Sequence, residues 1–198
     1  RLDALFSISS ESGDIYALNR DYAVTLHEDT QALLKRALEV SDSTDGIFDC
    51  TIEPVMDAWG FTTQNYRVPS ADELQQLLTH VDYKQVQQNG SDVSIPADVQ
   101  VDLGGIAKGY TSDRIMQVFA DNGVTSGIVS LGGNVQALGC KPDGSKWRVA
   151  VQDPNDEGEN FAVVEIADEA VITSGGYQRY FEEDGATYHH IIDPRTGY

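Results

Sequence analysis

Cysteine is scarce: only Cys50 and Cys140 occur, far apart in the chain. That excludes a zinc ribbon, a CxxC redox site and a disulfide-dense scaffold, and it leaves the compartment undecided. Histidine is limited to His27, His80, His189 and His190, without HExxH or another zinc spacing. Basic residues are outnumbered, 13 Lys and Arg against 32 Asp and Glu, for a net charge of −19. Nucleic acid and an anionic membrane face would be repelled by such a surface, so neither is expected as the main partner. Long apolar runs are missing too. Nothing approaches the ~18 residues of a membrane span.

What is present suffices for a real core. Of the 198 residues, 40 % are hydrophobic and 23 % charged. No internal repeat, low-complexity tract or linker marks a boundary, so one domain over 1–198 is expected. The first six residues read as the end of an amphipathic helix, with Leu2, Leu5 and Phe6 on one face; Ser7 to Asp14 reads as a loop. Asp29 is the expected cap of a helix to about Val40, with Leu33, Leu34, Ala37, Leu38 and Val40 along its apolar side. Ser70 with Glu73 forms a capping box ahead of Leu74, Leu77 and Leu78. Asn89-Gly90 predicts a hairpin between strands over Val81–Gln87 and Val93–Ile95.

A helix is expected from Gly105 to about Asn122, with Ile115, Val118 and Phe119 inward and Gly123 as its stop. Short strands follow at 127–131, 134–138, 147–151, 161–166, 171–173 and 188–192. Helices first and a meander of strands last favour α+β over a doubly wound parallel sheet.

Four segments carry residue types suited to chemistry. Asp102-Leu103-Gly104-Gly105-Ile106-Ala107-Lys108-Gly109-Tyr110 sits where a strand meets a helix start, which suits phosphate. It is neither a Walker A loop, because Tyr110 stands where lysine should follow Gly109, nor GxGxxG. A plain glycine-rich turn with a solvent lysine is the other reading. In His189-His190-Ile191-Ile192-Asp193-Pro194-Arg195-Thr196-Gly197, a proline turn holds two histidines at a strand end. A histidine there can be a general base, a phosphate partner or inert. Thr173-Ser174-Gly175-Gly176-Tyr177 is a tight turn or an anion donor set. Asp57-Ala58-Trp59-Gly60-Phe61 can stack on a planar ring or simply pack a core.

Taken together and in order, these segments resemble the ApbE family of FAD:protein FMN transferases. The resemblance rests on Phe48-Asp49-x-Thr51-Ile52-x-Pro54 leading to Trp59-Gly60-Phe61, on Asp102 to Tyr110 with Asp113, on Leu131-Gly132-Gly133-Asn134, on Thr173-Ser174-Gly175-x-Tyr177, and on His190-x-x-Asp193-Pro194-x-Thr196-Gly197. It covers nearly the whole chain. It implies a T-fold-like α+β architecture with a small helical subdomain. The implied reaction is metal-dependent: FMN passes from FAD to a Thr or Ser hydroxyl of a target protein, and AMP leaves. Some members mainly hydrolyse FAD to FMN and AMP, and a non-catalytic FAD-binding module is a further alternative.

The resemblance also implies roles for individual residues. Asp57, Ala58 and Trp59 would line the flavin nucleotide site; Asp102, Lys108 and Ile192 would contact FAD; Gly105 would offer its carbonyl to Mg²⁺; His190 would bear on proton transfer. The implied partner is a subunit of an electron-transport complex. The implied setting is the periplasm or cell surface, with an anchoring segment ahead of Arg1. A first strand before Arg1 and metal-ligating Asp and Thr side chains beyond Gly197 are expected of the family and lie outside these 198 residues.

Overall fold

The structure is a computed structural model that describes residues 1–198 apart from the side chain of Glu157. In chain order it contains α1 (Leu2–Phe6), α2 (Asp14–Asp21), β1 (Ala23–Thr25), α3 (Glu28–Ser43), α4 (Glu53–Ala58), α5 (Ala71–Leu78), a 3₁₀ turn (Tyr83–Gln85), β2 (Gln87–Asn89) and β3 (Asp92–Ser94). Then follow α6 (Gly104–Asp121), β4 (Gly127–Ser130), β5 (Asn134–Leu138), β6 (Trp147–Asp153), β7 (Asp156–Ile166), β8 (Ala170–Ile172), β9 (Tyr180–Glu183) and β10 (Ala186–His189). The chain forms two compact units, one made of Arg1–Ala107 with Gln178–Tyr198 and the other of Lys108–Tyr177. The architecture is α+β, as the order of elements predicts. All strand pairs within the sheets are antiparallel.

In the first unit, α5 starts where the capping box places it: the Ser70 hydroxyl accepts the Glu73 N–H at 3.2 Å. The Glu73 carboxylate pairs with Arg67. The cap of α3 is His27, not Asp29. The His27 Nδ1 accepts the Asp29 N–H at 3.1 Å, because the Asp29 carboxylate is buried and held by Arg1 at 2.5 Å. Leu33, Leu34 and Ala37 are buried on α3, while Leu38 and Val40 are only half-buried. The presumed loop gives way at Asp14 to α2, an additional helix that buries Ile15 and Leu18.

β2 and β3 pair around Gly90 with Asn89 opposite Asp92, the hairpin that Asn-Gly predicts. The strand expected from Val81 is instead a 3₁₀ turn, because the Asp82 carboxylate caps it by accepting the Lys84 N–H. The preceding chain is pinned there. Asp49 accepts the Thr51 N–H (2.8 Å), the Thr51 hydroxyl (2.6 Å) and the Tyr83 N–H (3.0 Å), and Thr51 Oγ1 accepts the Asp82 N–H (2.9 Å). The unit's aromatic core gathers Val55, Trp59, Phe61 and Leu74 with Phe181, Tyr188 and Ile192 packed against them.

The second unit contains the sheet β4-β5-β8 and the hairpin β6-β7, over a small core of Ala137, Val149 and Ile166. On α6, Ser112 and Met116 are buried one turn apart, and Ile115 and Phe119 are half-buried. Val118, expected inward, is 57 % exposed. It lies about 200° round the helix from Met116. The strand expected at 188–192 is β10, which ends at His189. Its partner β9 pairs Tyr180 with His189.

Candidate active site

The start of α6 is held from three sides. Asn19 clamps Val101, donating to its carbonyl at 2.9 Å and accepting its N–H at 2.8 Å. The Asp102 N–H donates to the Cys50 carbonyl at 2.8 Å, and the Asp102 carboxylate accepts the Gly104 N–H at 2.8 Å. The Phe48 ring lies so close that a Cβ on Gly105 would be 3.0 Å from it. Burial raises the Asp102 carboxyl above its usual range; the Gly104 N–H and the positive charge of Arg179 act the other way.

A second carboxyl belongs here that the sequence does not single out. Glu53 opens α4, is 5 % exposed, and accepts the Thr62 hydroxyl at 2.9 Å. Its carboxyl is pushed up to about 8, first by burial, then by the Asp102 charge, with Asp57 adding a smaller push. In the motif Phe48–Pro54 this position reads as a spacer. Only the fold, by burying it beside Asp102, makes it unusual.

After α4 the chain turns through Trp59-Gly60-Phe61. Gly60 has φ +79°, and a Cβ there would sit 2.1 Å from the Asn65 carbonyl oxygen, so no other residue fits. Asp57 is exposed and Ala58 buried. Trp59 is buried, with Tyr188 at 5.0 Å and Tyr198 at 5.5 Å between ring centres. Its edge also lines a cavity of about 250 Å³ with Thr187, Tyr188, His189, Ile192 and Tyr198. Trp59 and Ile192, expected to share a ligand, thus share a wall, and Trp59 packs the core as well.

The two histidines differ. His189 ends β10 and is exposed. His190 is half-buried, its backbone N–H donates to the Arg179 carbonyl at 3.2 Å, and its Nδ1 lies 3.2 Å from the same oxygen. A carbonyl only accepts, so this contact puts the ring proton on Nδ1 and leaves Nε2 as the basic nitrogen. The His190 ring meets Phe61 edge-on at 6.4 Å. Beyond it, the turn closes as the proline motif predicts. The Gly197 N–H donates to the Asp193 carbonyl at 2.8 Å, and Arg195 holds the Asp193 carboxyl down at about 2. In the second unit, Lys108 is exposed and its Nζ lies 3.3 Å from the Gly132 carbonyl oxygen.

The donor chemistry of the first unit suits a hard divalent cation. Burial raises both Glu53 and Asp102, the Asp102 charge raises Glu53 further, and carboxylates and a backbone carbonyl such as that of Gly105 are hard-cation ligands by type. Among the described residues no helix is long and apolar enough to cross a membrane.

The first unit thus holds a buried carboxyl, Glu53, with the half-buried Asp102 acting on it, and a histidine, His190, held in one tautomer. Comparison with known proteins makes this specific. The model of the ApbE family matches residues 1–198, and the chain belongs to that family. The FAD:protein FMN transferase of Treponema pallidum is 34 % identical over 227 residues, an alignment that takes in 100 % of this chain and 63 % of the relative. The Escherichia coli K12 protein of the same name is 33 % identical over 174 residues, covering 83 % of this chain and 49 % of the relative. The crystal structure of the ApbE protein of Thermotoga maritima superposes with a TM-score of 0.95 at 38 % identity, covering 100 % of this chain and 66 % of that one. The apo flavinyl transferase ApbE of Pseudomonas stutzeri gives 0.87 at 32 % identity, covering 99 % and 63 %. The chain therefore spans about half to two-thirds of the length of these relatives.

Proposed function

We propose that the protein transfers FMN from FAD to a Thr or Ser hydroxyl of a target protein, releasing AMP. The observation that carries this reading is the placement of His190, with Nδ1 on the Arg179 carbonyl and the ring against Phe61. In the reaction, the hydroxyl oxygen attacks the FMN phosphorus while His190 Nε2 takes the hydroxyl proton. The bond between the two phosphates breaks, and the electron pair leaves with AMP. Asp57, Ala58, Trp59 and Ile192 bind the nucleotide, Asp102 hydrogen-bonds it, and Lys108 supplies a charge toward the phosphates. The Gly105 carbonyl would hold Mg²⁺, which when bound neutralises pyrophosphate charge against a chain of −19. The names of the relatives, FAD:protein FMN transferase, support the same reaction.

The target we infer is a subunit of an electron-transport complex, met outside the cytoplasm. The deciding experiment incubates the full-length protein with FAD, Mg²⁺ and a threonine-containing target peptide. A flavinylated peptide and AMP are expected. Free FMN and AMP without labelled peptide would make it a FAD pyrophosphatase, and unchanged FAD a binding module; either result overturns the proposal.

A further inference from the structure

We propose that Arg179 is the positioning residue of this site, an inference that rests on the reading of His190 as the base. Three contacts close a ring. The Arg179 guanidinium donates through Nη2 to the Phe61 carbonyl at 2.6 Å. The Phe61 ring meets the His190 ring at 6.4 Å. The His190 N–H and Nδ1 both face the Arg179 carbonyl at 3.2 Å. One residue thus sets the imidazole from both sides: its backbone selects the tautomer, and its side chain holds the residue against which the imidazole rests.

The register explains why this residue does it. Tyr180 pairs with His189 at the open end of the β9–β10 hairpin, and Arg179 faces His190 one step beyond. His190 is therefore held by an extension of the ladder rather than by the strand itself, where neighbouring rungs would secure it. The guanidinium anchors that extension. Its positive charge also acts on Asp102, which otherwise shares a low-dielectric surrounding with Glu53. Lysine can supply the charge and one hydrogen bond, but not the planar fork. Glutamine can supply a hydrogen bond without charge.

The test compares Arg179→Gln and Arg179→Lys in the full-length protein. Steady-state transfer to a threonine peptide is measured across pH, alongside FAD affinity and ¹⁵N-histidine NMR. We expect Arg179→Gln to lower kcat ~10–100-fold, as small misplacements of a reacting group do, with KM for FAD within ~3-fold. The acid limb of the pH profile should move, and the His190 resonances should show both tautomers instead of the Nδ1-protonated one. Arg179→Lys should recover much of kcat. Parental kcat, pH profile and tautomer in Arg179→Gln would overturn the proposal. So would a loss confined to thermal stability in both variants. A parent protein that transfers no FMN would sink the functional reading alone, because the NMR comparison still decides whether Arg179 positions the ring.

Discussion

The indole N–H of Trp59 donates to the carbonyl of Gly197 at 2.7 Å, across 138 residues of chain. Gly197 carries φ +78° at the end of the proline turn, and the side chain of Leu74 lies where its Cβ would be, at 3.2 Å. The tryptophan at the end of α4 and the turn after His190 are therefore fastened by one buried hydrogen bond.

Trp59→Phe tests that bond. It keeps an apolar ring but leaves the Gly197 carbonyl without its donor, which costs about 1–3 kcal/mol. Urea unfolding followed by circular dichroism should show this loss. An unchanged midpoint would mean that the ring alone, and not its N–H, secures the turn.

Glu53 gives the fold a pH dependence of known sign. Its carboxyl sits at about 8 in the folded chain against an ordinary 4.5. The folded state therefore binds the proton more tightly between those values. This contribution to stability is complete below about 4.5 and lost as pH rises toward 8, by ~1.4 kcal/mol per pH unit at the steepest. Asp102, raised by its own burial, acts in the same direction. Glu53→Gln can still accept from Thr62 but cannot ionise. Its urea midpoint should pull ahead of the parent's as pH rises from 5 to 8; parallel curves would show that Glu53 titrates normally.

Asp49 and Thr51 belong to the motif that marks the family, yet their contacts are architectural. Asp49→Ala strips the acceptor from the Thr51 and Tyr83 N–H groups, so a loss of about 3 kcal/mol is expected. FAD affinity of the folded fraction, measured by titration below the melting range, should stay within a few fold. A loss of affinity without a loss of stability would move Asp49 into the binding site.

The histidines should separate by activity. His190→Asn retains a hydrogen-bonding side chain but cannot take a proton near neutrality, so FMN transfer should fall by ~10²–10⁴ with FAD affinity little changed. His189→Asn, on the exposed end of β10, should stay within a few fold of the parent. Equal losses would point to disruption of the turn before Pro194.

Local signals were legible where the deciding partner lies a few residues away. Ser70 and Glu73, or Asn89 and Gly90, need only each other to declare a helix start and a hairpin. Reading failed where the partner is remote. Asp29 looks like a cap until Arg1 claims its carboxylate, and the imidazole of His27 takes over the task. Val118 looks like a core residue because it is apolar, while the angle around α6 puts Ser112 and Met116 inward. Glu53 is an unremarkable spacer until α4 is buried beside Asp102. Arg179 gives no signal at all, because its guanidinium meets a remote backbone carbonyl and its own carbonyl meets His190 only once β9 pairs with β10. His190, Trp59 and Asp102 were legible as candidates through the ordered motifs, but nothing in the sequence indicated that Trp59 would also be core.

The discontinuity of the first unit has a consequence for biosynthesis. Residues 108–177 emerge from the ribosome before Phe181 and Tyr188 exist, so the second unit can collapse while Trp59 and Phe61 still lack those two rings. Until residues 178–188 have been made, the nascent chain carries an uncovered apolar surface around Trp59 and Phe61. Slow codons anywhere between 108 and 188 would prolong that exposure, because each of them delays Phe181 and Tyr188.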